Sequence, residues 1–75
     1  MNITTDTRLS AISKEYPWLL DEVMKLDARA KMLNNPMGKM FIQNSTIKGL
    51  SDMTGLGTDT IIDYINNMIE SHEAG

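Results

Sequence analysis

Seventy-five residues with a formal charge of −3, one histidine and no cysteine leave room for one domain, and exclude disulfides, thiolate metal sites, iron–sulfur clusters and thiol chemistry. With 41% apolar and 23% charged residues the chain has the make-up of a soluble globular protein, not a disordered one. A domain this small buries only about 60–65% of its unfolded surface, so its stability rests on a small core.

In chain order, Thr7 is placed to cap a first helix whose apolar positions Leu9, Ile12 and Tyr16 fall at i, i+3 and i+7. Pro17 is barred from a helix interior but favoured at a first helical position, so it ends this helix and opens the next. The second helix carries Leu19, Leu20, Val23, Met24 and Leu26. Asp21 and Glu22 stand early in it and Lys25 late, the order its dipole favours. Residues 27–35 read equally as helix or loop. Asn34-Asn35-Pro36 is a break, after which Pro36 opens a short helix over Met37, Met40 and Phe41. Thr46 caps a further helix bearing Ile47, Leu50 and Met53. Gly55 and Gly57 bracket Leu56 in a tight turn, and Thr58 caps a final helix with the stripe Ile61, Ile62, Ile65, Met68 and Ile69. No strict alternation occurs. The expectation is a single all-α domain over residues 1–75, a compact array of four to five short helices with a helix-turn-helix-like C-terminal pair.

That C-terminal pair, residues 46–61, resembles the helix-turn-helix of bacterial repressors: a capped helix, a glycine turn holding a buried apolar residue, and a second capped helix. Charge argues against DNA. Residues 1–48 hold seven basic and five acidic side chains, whereas residues 49–75 hold five acidic ones and no Lys or Arg. Asp59 and Asp63 would face the phosphates that a reading helix has to attract. Nucleic acid is therefore the disfavoured alternative.

Taken whole, the order of signals resembles a small bacterial and archaeal helical domain family of unknown function. Members stand alone or fused to hemerythrin-like or PAS-type sensory modules, and a sister group includes the N-terminal domain of iron–sulfur-cluster repair proteins. The residues that carry the resemblance are Ile3-Thr4 with Thr7, Glu15-Tyr16-Pro17, the apolar run from Leu19 to Leu26, Leu33-Asn34-Asn35-Pro36-Met37, Thr46-Ile47 and Gly55. One branch of that family has a Cys-x-x-Cys pair after its second helix, where this chain reads Asp27-Ala28-Arg29-Ala30. The resemblance is thus to a cysteine-less branch. It implies a helical fold and not an activity.

No catalytic constellation emerges. Asp21 and Glu22 are adjacent and point about 100° apart on a helix. Asp59 and Asp63 share a face but read as a solvated first turn. His72 lies among Glu70, Ser71 and Glu73 in what reads as a fraying tail. Gly38-Lys39 reads as a bend after Pro36 rather than an anion site.

The middle of the chain stands out. Lys25, Arg29, Lys31 and Lys39 face only Asp27 in charge, and Met24, Met32, Met37 and Met40 share the stretch. Methionine is flexible and polarizable and is over-used on promiscuous binding surfaces. Met24, Met32, Met37, Met40 and Phe41, rimmed by Lys25, Arg29, Lys31 and Lys39, would suit an acidic amphipathic partner helix or self-association against the acidic C-terminal half. The plainer reading, which takes precedence, is that these methionines fill the core. Trp18 is expected in the core as well. The expectation for function is a non-enzymatic interaction or regulatory module without cofactor or metal. With a polar start and no run of roughly 20 apolar residues, it is expected to be cytoplasmic, without signal peptide or membrane span.

Overall fold

The computed structural model describes residues 1–26 and 28–74, the side chains of 28–30 excepted. Five α-helices follow one another: α1 (Leu9–Glu15), α2 (Leu19–Leu26), α3 (Pro36–Asn44), α4 (Ile47–Thr54) and α5 (Thr58–Ala74). A 3-10 helix, Ala28–Leu33, stands between α2 and α3. The all-α expectation is met, and no strand occurs among the described residues. Most of the undecided stretch 27–35 is thereby assigned to the tighter helix, with Asp27 outside the described residues. No described helix is long and apolar enough to cross a membrane.

The core is built from isoleucine and leucine. Ile3, Leu9, Ile12, Leu19, Ile47, Ile61, Ile65 and Ile69 are buried, each 9% exposed or less. Ile61, Ile65 and Ile69 are spaced by four and give α5 its inward edge, on which α4 packs. Tyr16, Trp18, Phe41, Ile42, Leu50, Ile62 and Met68 complete the cluster from its margin. The radius of gyration is 11.5 Å, close to the roughly 11 Å of a well-packed chain this long.

Of the expected caps Thr46 is in place, and Asn35, read from the sequence only as part of a break, is a second. Asn35 Oδ1 accepts from Gly38 N–H at 2.7 Å, with Pro36 opening α3, and Thr46 Oγ1 accepts from Gly49 N–H at 3.2 Å to start α4. Gly55 ends α4 with φ +78°, a left-handed conformation that a residue without Cβ adopts freely, and donates to Ser51 O at 2.8 Å.

Other local expectations are corrected. Thr7 does not cap α1; its hydroxyl accepts from Thr4 N–H at 2.8 Å within a turn, and the cap position belongs to Arg8, without a side-chain bond. That offset arises because the segment before α1 is held by a distant part of the chain. Leu9 N–H donates to Ser45 O (2.9 Å), Ile47 N–H to Thr7 O (3.0 Å) and Lys48 N–H to Thr5 O (3.0 Å), around an antiparallel bridge of Arg8 with Thr46. Pro17 lies in the turn between α1 and α2 and opens neither: Trp18 O accepts the first α2 bond, from Glu22 N–H at 3.2 Å. Thr58 is the first residue of α5, not its cap, since Gly57 O accepts from Ile61 N–H at 3.1 Å. Leu56 in the turn is 50% exposed, so the α4–α5 corner lacks the buried apolar residue expected there.

Candidate functional site

Contrary to expectation, Met32, Met37 and Met40 do not fill the core, whereas Met24 is half-buried. Met37 is 82% exposed, Met32 75% and Met40 63%, and none of the eight buried core residues is a methionine. The reason lies in α3, whose sequence is apolar on more than one side. Gly38 is buried because the helix passes close to the backbone of Leu33, and the inward face is therefore Gly38, Phe41 and Ile42. Met37 and Met40, three residues apart, are left to form an outward ridge.

Of the residues expected to form a partner surface, three line one groove and four lie on the neighbouring 3-10 helix and α3. Met24, Lys25 and Lys31 line an open groove of about 560 Å³ with Asp21 and Asn34, where α2 meets the 3-10 helix. Met32 lies on that 3-10 helix, and Met37, Lys39 and Met40 on α3, which packs against it. Asn35 ties the two together: its Nδ2 donates to Met32 O at 2.8 Å while its Oδ1 caps α3. Phe41 faces the core and is half-buried, so it supports this surface from beneath. The Arg29 side chain lies outside the described residues. Lys25 reaches Glu22 at 3.6 Å with both side chains well exposed, a contact that leaves its charge largely available.

A second groove carries no expectation from sequence. Trp18, just before α2, and Leu26 at its end form one wall, and Tyr64, Met68 and His72 from α5 the other, with Glu22, Asn67 and Ser71 also lining it. Its open volume is about 770 Å³. Trp18 is half-buried, a correction to its expected place inside the core: it packs on the core from the margin, with its other side toward the groove. The His72 ring stacks on it with centroids 3.7 Å apart and planes 13° from parallel, and the Tyr16 edge meets it at 6.0 Å. His72 is accordingly held on a helix that continues to Ala74, not in a fraying tail. Leu26 is 68% exposed and Tyr64 42%, so the groove floor is apolar and aromatic. The signal that could have found it is weak: Leu26 lies on the same helical face as Leu19 and Val23 but beyond the end of the core.

Among the described residues no three His, Asp or Glu side chains converge as metal ligands, and no polar side chain is buried. What both surfaces offer is exposed apolar area beside charge, which is docking chemistry. No protein-family model, curated protein or solved structure matched the chain.

Proposed function

We propose that this chain is a cytoplasmic, non-enzymatic interaction module whose basic methionine face binds an acidic amphipathic helix. The observation that supports the reading is the exposure of Met32, Met37 and Met40 beside Lys31 and Lys39, while the fully buried core residues are all isoleucine and leucine. Unbranched thioether side chains adapt to the apolar stripe of a partner, and the lysines select for carboxylates along its edges. The role extends to this chain the regulatory setting implied by its resemblance to hemerythrin- and PAS-associated helical domains.

The test is a titration of the labelled protein with an acidic amphipathic helical peptide about five turns long, followed by NMR. Shifts are expected at Met32, Met37, Lys39 and Met40 and their methyl groups. Reversing two charges, with Lys31→Glu and Lys39→Glu together, is expected to weaken binding about tenfold. A titration without shifts on this face overturns the proposal.

The alternative is a helix-turn-helix nucleic-acid binder using residues 58–67 of α5. The glycine corner between α4 and α5 favours it, but the charge of α5 does not: Asp59, Asp63, Glu70 and Glu73 stand on it without a single Lys or Arg. In a gel-shift assay with random duplex at about 50 mM salt, where phosphate contacts are strongest, no retarded band is expected. A band whose affinity falls steeply with salt would restore this alternative.

A further inference from the structure

The two surfaces described above differ in chemistry and in the charge of the elements that bear them. One is basic and methionine-rich; residues 25–39 hold four basic side chains against one acidic. The other is aromatic, with Trp18 and Tyr64 in its walls and Glu22 also lining it. Its α5 wall belongs to a helix that exposes Asp63, Glu70 and Glu73 and has no basic side chain besides His72.

We propose that the partner of the methionine face is a second copy of this chain, which offers its α2–α5 groove. The inference rests on the preceding reading of that face as a docking surface and names its occupant. Three observations carry it. Charge is opposite in sign at the level of the elements, a basic stretch on one side and on the other α5, which carries four carboxylates and no Lys or Arg, and this steers two copies together. Methionine sulfur makes favourable contacts at about 5 Å from aromatic rings, and the groove offers the exposed ridge of Met37 and Met40 the Tyr64 ring and the part of Trp18 that His72 and Tyr16 leave uncovered. Both surfaces also expose apolar area that a single copy leaves in water, with Leu26 at 68% and Tyr64 at 42% on the groove side. Because two different patches meet, the contact is head-to-tail. Such a contact adds copy to copy unless the rotation between them closes a ring.

The lone tryptophan, Trp18, sits in the groove and reports on its occupation. Sedimentation and Trp fluorescence are measured from micromolar concentrations to about 1 mM. The expected result is a mass that rises with concentration together with a change in Trp18 emission. Raising salt from about 0.1 M to 1 M, which shortens the Debye length from about 10 Å to about 3 Å, is expected to reverse both.

Two double variants, one reversing charge on the methionine face and one adding positive charge at uncharged residues of the groove, complete the test. One is Lys31→Glu with Lys39→Glu; the other is Asn67→Lys with Ser71→Lys. All four side chains are exposed, and circular dichroism checks that the helices are kept. Each variant alone is expected to associate about tenfold more weakly. Their mixture is expected to regain association, because each altered surface now meets a surface of opposite sign. A wild-type chain that stays monomeric over the whole range overturns the proposal, as does association that neither variant weakens or that mixing fails to restore. The acidic peptide separates the two readings. Shifts on the methionine face of a monomeric protein overturn only self-association, whereas failure of both overturns the docking face itself.

Discussion

Ile47→Ala is expected to destabilise the protein by about 2–5 kcal/mol, read as a lower midpoint of urea unfolding with an unchanged slope. Ile47 is 0% exposed and lies where three parts of the chain join. Its N–H is bound to Thr7 O, its neighbours Ser45 and Lys48 bind the same N-terminal segment, and its side chain is in the cluster with Ile3, Ile12 and the α5 isoleucines. A cavity there has little means of collapsing, because each wall is held by backbone hydrogen bonds. A domain below about 70–80 residues rarely has more than roughly 3–5 kcal/mol of stability, so much of the variant should be unfolded at 25 °C. Met37→Ala, from a side chain 82% exposed, is the control and should stay within about 0.5 kcal/mol. Equal losses at the two positions would mean that the methionine ridge, and not the isoleucine cluster, holds the fold.

At Gly38 the expected loss from alanine is about 2 kcal/mol or more, in spite of the roughly 1 kcal/mol that alanine's helix propensity returns. A Cβ there would stand 2.5 Å from the Cα and carbonyl carbon of Leu33 and nearer still to the carbonyl oxygen. These are backbone atoms, so relief requires α3 to move away from the 3-10 helix. Gly49 gives the contrast. The nearest atom to a Cβ at that position is the Ser45 hydroxyl, the end of a side chain that rotates. Gly49→Ala is therefore expected to be neutral or stabilising by up to about 1 kcal/mol. Thermal melts of the two variants side by side decide the point. A Gly38→Ala protein as stable as Gly49→Ala would refute the close approach. Since that approach also sets the spacing of Met32 from Met37, the Gly38 variant should bind the acidic peptide less well even where it remains folded.

Where the chain's signals were local they were legible. Asn35-Pro36, Thr46 and Gly55 each act within four residues: a side chain caps a nearby N–H, a ring fixes one φ, or a missing Cβ permits a positive one. The isoleucine stripe of α5 was legible for a similar reason, as a helix of fixed pitch gathers positions four apart on one side. Thr7, Pro17 and Thr58 misled because each is chemically fit for a role that its neighbours took over. Arg8 and Gly57 hold the cap positions once Thr5 and Thr7 are bound to residues 45–48 and the α4–α5 corner is closed.

The candidate surfaces divide in the same way. Composition and spacing picked out Met24, Met32, Met37, Met40 and the lysines among them as a group. Nothing in the string distinguishes a core methionine from an exposed one, and α3 has apolar side chains on both candidate faces. Which face turned inward was decided by the approach of Gly38 to Leu33 and by the packing of Phe41 and Ile42. Of the groove the sequence offered only the weak signal of Leu26, since the rest depends on His72 meeting Trp18 across the tertiary structure.

From its sequence alone, then, this chain was determined to be all-helical, free of cysteine chemistry, and split between a basic middle and a C-terminal part without Lys or Arg. Those are properties of residue type and short-range geometry, which need no knowledge of what lies opposite. Only the tertiary structure decided that isoleucine and leucine fill the interior, that Met32, Met37 and Met40 are left in water, and that an aromatic groove forms against the acidic helix α5. Each of those outcomes depends on which elements come into contact, and contact between distant residues is set by the packing of the whole chain.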